Sequence, residues 1–109
     1  MNQLDALLAR LHTFRDERDW KQFHNSKDLA LALSIEAAEI NELFLWKSAE
    51  EVDPILLRHE LADLMSYCLL LAGNHAIDLE QAIIEKMAIN ASKYPIEKTR
   101  GKSTKYTEL

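Results

Sequence analysis

A chain of 109 residues with 48% apolar and 28% charged side chains has the make-up of one globular domain, and no uninterrupted apolar stretch approaches a bilayer span. Its net charge of −5 is unevenly spread: residues 1–92 hold 8 basic and 16 acidic side chains, whereas the tail at about 93–109 holds 5 basic and 2 acidic. A mostly acidic body lacks the continuous basic surface that duplex nucleic acid requires, which argues against that class as the main ligand.

Two glycines and two prolines leave little room for sheet turns, so the composition predicts an all-α fold. The apolar spacing of Leu4, Leu7, Leu8, Leu11 and Phe14 predicts a first helix over residues 3–18, broken by residues 19–25. A second helix is expected from residue 26 or 27 to about 47, with Asn25 or Ser26 as its cap. Asp53-Pro54 supplies an N-cap and an N1 proline for a third, running to residue 71 or 72 before Gly73-Asn74. Asp78-Leu79-Glu80-Gln81 resembles a capping box and opens a fourth, which ends near residue 92 because Pro95 forces Tyr94 out of the helical region.

These elements predict one domain over 1–109, a four-helix bundle-like protomer with a basic tail. The third helix carries Leu64, Met65, Tyr67, Cys68, Leu69, Leu70 and Leu71 around most of its circumference, so a neighbouring subunit is expected to cover it. Cys68 reads as a buried thiol in a reducing, cytoplasmic setting. The N-terminal residues lack a basic segment followed by an apolar one, so neither export nor membrane insertion is expected.

Chemistry concentrates in two acidic pairs, Glu36-x-x-Glu39 and Glu60-x-x-Asp63. The i, i+3 spacing puts both carboxylates of a pair on one helix face. A single pair of this kind usually decorates a solvated face. Here both pairs interrupt apolar lines: Glu36 falls within Leu29, Ala32, Leu33, Ile40 and Leu43, and Glu60 with Asp63 between Leu56 and Tyr67. Carboxylates in an inward stripe are costly unless paired or metal-bound. Facing helices would gather four of them into an oxygen-rich cluster suited to Mg²⁺, with Mn²⁺ as a substitute. A di-iron site needs Glu-x-x-His pairs, and none of His12, His24, His59 and His75 follows a Glu by three. Trp20, Phe23, Trp46 and Tyr67 offer flat faces for a base, and Lys86, Asn90 and Lys93 form one polar line able to meet phosphates.

Together, the acidic pairs and the run Lys86-x-x-x-Asn90-x-x-Lys93-Tyr94-Pro95 resemble the all-α nucleoside triphosphate pyrophosphohydrolases, the MazG-like superfamily. Glu17-Arg-Asp-Trp-Lys-Gln-Phe-His24, Leu43-Phe-Leu-Trp-Lys47 and Lys105-Tyr-Thr-Glu-Leu109 look more specifically like its dCTP pyrophosphatase branch. The resemblance implies Mg²⁺-dependent hydrolysis of a deoxynucleoside triphosphate to monophosphate and pyrophosphate, a house-cleaning of the nucleotide pool. It also implies a dimer or tetramer, the tetramer favoured. Glu36, Glu39, Glu60 and Asp63 match the metal-binding acids, with Glu36 or Glu39 orienting the attacking water. Trp20, His24 and Trp46 match base-pocket segments, and Lys86, Asn90, Lys93 and Tyr94 the phosphate side. Lys93 stands where the wider superfamily often has arginine, and Ile35 where it often has a further glutamate. The same cluster on a non-catalytic helical oligomer that binds a nucleotide or a protein partner is the alternative.

Overall fold

Capping chemistry starts each of the four long helices in a computed structural model, which describes residues 2–109. Asn2 forms a reciprocal capping box with Asp5 at the start of α1, Gln3–Glu17. Asn25 Oδ1 accepts from Asp28 N at 2.9 Å to open α2, Ser26–Leu43. Asp53 Oδ1 accepts from Ile55 N and Leu56 N ahead of the N1 proline of α3, Pro54–Asn74. Asp78 Oδ1 accepts from Gln81 N to open α4, Leu79–Lys93, and a further turn forms α5, Ile96–Thr99. The described residues contain no strand, and none of their helices is long and apolar enough to cross a membrane.

Two ends differ from the sequence expectation. α2 stops at Leu43 instead of residue 47, because the chain turns through Phe44 and Leu45 into Trp46, which takes a φ of 63°. α3 runs past residue 72 to Asn74. Gly73 is a packing position there: a Cβ on it would lie 2.9 Å from Leu8 Cδ2, so its bare backbone lets α1 approach α3 closely.

The chain divides into a unit that ends at Ile77 and another spanning Asp78–Leu109. In the first, α3 packs against both α2 and α1. Leu29 of α2, with Leu69, Leu70 and Ala72 of α3, forms the buried core. Asn74 Nδ2 donates to His24 O at 3.0 Å, and Ser26 Oγ lies 2.8 Å from His75 Nε2, which stitches the start of α2 to the end of α3. Ile55, Leu56, Leu61 and Met65 remain exposed on α3. α1 turns a different edge inward from the one its leucines suggest: Phe14 is half exposed, while Arg15 is only 8% exposed.

In the second unit the basic tail is structured. Its 3₁₀ turn Tyr106–Glu108 brings the Tyr106 ring edge-on to Tyr94, with centroids 5.9 Å apart, and beneath Lys93 Nζ at 4.7 Å. Ile83, Ile84, Met87 and Ile89 of α4 are exposed.

Candidate functional site

Packing α2 on α3 carries the acidic pairs together. One carboxylate oxygen from each of Glu36, Glu60 and Asp63 lies within 4.8 Å of the other two. Glu36 Oε2 and Glu60 Oε2 are buried and have no hydrogen-bond partner among the described residues. Burial, and after it the facing Glu60 carboxylate, push the Glu36 carboxyl up to about 7. Glu39 stands beside the triple, and its contact with Glu60 raises it above the ordinary glutamate value. No described Lys, Arg or His makes an ion pair with any of these four residues. Carboxylates held this closely, two of them with an orphaned oxygen, could hold a cation, and an all-oxygen donor set fits a hard divalent ion.

Asp63 also borders a cavity of about 310 Å³ between α1 and α3. Trp20 and His24, from the segment joining α1 to α2, wall it together with Tyr67. The Trp20 ring stands edge-on to Phe14 at 5.9 Å, and the Arg18 guanidinium caps Phe14 at 3.7 Å from its centroid. Leu11 and Leu70 close the apolar side, and Arg15 and Ser66 add polar groups that the sequence reading did not single out. His24 Nδ1 is buried without a hydrogen-bond partner, and burial followed by the nearby Arg15 charge lowers its pKa, so the imidazole is neutral near pH 7. Burial, then Glu36, raises the Tyr67 hydroxyl above its usual range, so it remains protonated. The cavity sits at the lower end of the roughly 300–1,000 Å³ typical of small-molecule sites.

Of the other expected site residues, Trp46 belongs to the first unit and Lys86, Asn90, Lys93 and Tyr94 to the second. Trp46 does not line the cavity; it is 93% exposed on the turn after α2. Lys86 and Asn90 are exposed on α4, while Lys93 and Tyr94 end that helix against Tyr106. Arg15 had one signal in the sequence: with Leu4, Leu8 and Leu11 it continues a helical line that competes with the one through Leu7 and Phe14.

Residues 31–109 match the MazG-like family, a span that holds all four carboxylates. The chain belongs to the MazG-like family. Among its relatives are proteins named dCTP pyrophosphatase 1 from Mus musculus and Homo sapiens, respectively 43% and 42% identical over 94% of this chain. This MazG-like chain spans 65% of the length of those two relatives. The crystal structure of a pyrophosphatase from Archaeoglobus fulgidus superposes with a TM-score of 0.77 at 36% identity, covering 87% of this chain and 94% of that one.

Proposed function

We propose that this MazG-like protein is a Mg²⁺-dependent nucleoside triphosphate pyrophosphohydrolase acting on dCTP-like substrates. The observation that carries the reading is Asp63, which belongs at once to the carboxylate triple and to the wall of the aromatic cavity. A base in the cavity would thereby bring its 5′ phosphates toward the carboxylates. The relatives named dCTP pyrophosphatase 1 support both the base assignment and the release of pyrophosphate, and the Archaeoglobus structure named a pyrophosphatase is consistent with them.

Glu36, Glu39, Glu60 and Asp63 would hold the metal, and Mn²⁺ is expected to substitute for Mg²⁺. When bound there, divalent cations supply charge neutralisation for the triphosphate and an acidified water. Water adds to the α-phosphorus, the bond from that phosphorus to the bridging oxygen breaks, and pyrophosphate leaves from the opposite side. Glu39 adjoins Glu60 without joining the triple, which suits it to take the water's proton; Glu36 is the other candidate. Trp20 and Tyr67 would flank the base, and neutral His24 can offer it one donor and one acceptor. For Trp46, Lys86, Asn90, Lys93 and Tyr94 the support is the sequence resemblance. Residues 1–109 would then serve as one catalytic domain. The exposed apolar residues of α3 support a homo-oligomer, with a tetramer favoured.

The test is hydrolysis of dCTP with Mg²⁺ in ¹⁸O-labelled water. Label is expected in dCMP, with unlabelled pyrophosphate as the other product. Glu60→Gln and Asp63→Asn should each abolish turnover while the helical circular dichroism signal persists. Release of dCDP and phosphate, or full activity in both variants, overturns the assignment.

A further inference from the structure

The cavity contains a feature that neither stacking nor metal binding uses: the guanidinium of Arg15. Burial of a permanent cation to 8% exposure is costly, and solvated surface was available to it one residue away along the helix. Among the described residues its one hydrogen bond is from Nε to Asp16 Oδ1, at 2.8 Å, and the carboxylate it meets lies at the protein surface. That bond occupies Nε and leaves both Nη groups, four N–H donors, without a partner among the described residues, on a side chain that lines the cavity. The other walls of the cavity are mostly apolar or aromatic, Leu11, Phe14, Trp20, Tyr67 and Leu70, with His24, Ser66 and Asp63 as its polar members. A donor-only fork in a cavity walled largely by rings and leucines favours a flat ligand with two adjacent acceptors on one edge.

Among nucleobases that requirement is discriminating. Cytosine presents O2 and N3 side by side, both acceptors. Uracil and thymine carry a proton on N3, so the same fork would meet a donor and leave a buried N–H unpaired on each side. Guanine offers O6 and N7, the edge that arginine reads in DNA, so the fork rejects uracil and thymine and it is the dCTP-like reading that selects cytosine over guanine. On the reading of this cavity as the base pocket, we infer that Arg15 is its specificity-determining residue, pairing its Nη groups with O2 and N3 of a cytosine-type base. Arg15, Trp20 and His24 all precede residue 31, where the family match begins, whereas the carboxylates lie within it.

The experiment compares dCTP, dUTP and 3-deaza-dCTP, in which a C–H replaces the N3 acceptor, on the wild-type protein, Arg15→Met and Arg15→Lys. The wild type should prefer dCTP over both analogues by at least tenfold in kcat/KM. Arg15→Met should lose about 10- to 100-fold on dCTP, the usual consequence of removing a charged hydrogen bond. It should lose little on dUTP or 3-deaza-dCTP, so its preference collapses. Arg15→Lys keeps the charge without the planar fork and should also fail to tell dCTP from 3-deaza-dCTP. Thermal melts confirm that each variant is folded, and if Arg15→Met does not fold, Arg15→Lys and the wild-type response to 3-deaza-dCTP decide. Equal losses on all three substrates, or a wild type indifferent to the N3 replacement, overturn the role of Arg15 and leave the pyrophosphohydrolase standing. A wild type that turns over no triphosphate overturns both.

Discussion

Replacing Glu36 by glutamine should stabilise the metal-free protein and blunt its response to Mg²⁺. Ligand oxygens of Glu36, Glu60 and Asp63 come within 4.8 Å of one another. Two unit charges at such a distance repel by about 3 kcal/mol at an effective dielectric of about 20, and by less than ~1 kcal/mol in water. Asp63 is exposed and Glu36 only partly buried, so solvent screening brings the expected gain to about 1–2 kcal/mol, or roughly 4–15 °C in melting temperature. The sign with pH follows from the carboxyl itself. Glu36 ionises near 4.5 in the unfolded chain and at about 7 in the folded one, so within that window the folded protein holds more protons. Its contribution to stability is therefore largest at the acid end and is lost as pH rises through about 7. The advantage of Glu36→Gln over wild type should be near zero at the low end and complete above the upper one. Mg²⁺ displaces the same protons, so it should raise the wild-type melting temperature more at about pH 8 than at about pH 5.5. Differential scanning fluorimetry in EDTA and in Mg²⁺ across this range measures both effects. A variant that melts below wild type in EDTA at about pH 8, or that keeps the full Mg²⁺ response, would refute the view of these carboxylates as a strained, cation-seeking cluster.

Leu29→Ala should cost about 2–5 kcal/mol, seen as a lower urea midpoint at unchanged slope, because Leu29 is 2% exposed at the contact between α2 and α3. Trp46→Ala removes a ring that is 93% exposed, so melting should be unchanged, whereas the base-stacking role that the sequence resemblance implies predicts a KM for dCTP about tenfold higher. Tyr106→Leu takes away the ring beneath Lys93 and against Tyr94, a local loss of about 1 kcal/mol that should speed amide exchange and proteolysis in the tail; Tyr106→Phe should behave as wild type.

What was legible in the sequence was what local stereochemistry decides. Asp53-Pro54 marks the start of α3 because an acidic cap and a fixed proline φ act over two adjacent residues, and the structure begins the helix there. The acidic pairs could be read for a related reason: a carboxylate inside an apolar line is anomalous on its own helix, before any partner is known. Gly73 misled because a helix stop and a close contact demand the same residue, and only the distance to Leu8 shows which of the two operates. The inward edge of α1 was undetermined for a comparable reason. The lines through Leu4, Leu7, Leu11 and Phe14 and through Leu4, Leu8, Leu11 and Arg15 both satisfy helical spacing, and hydrophobicity favours the first. The structure takes the second and places a charge where a phenylalanine was expected. Burying phenylalanine would have gained apolar contact, whereas burying arginine opposes folding unless something with matching acceptors arrives. Departures of this sort, in which local preference loses and the internal partner, here Asp16, meets Nε alone, are where sites are expected. The residue that sequence reasoning missed on α1 is for that reason the one most informative about what the cavity is built to receive.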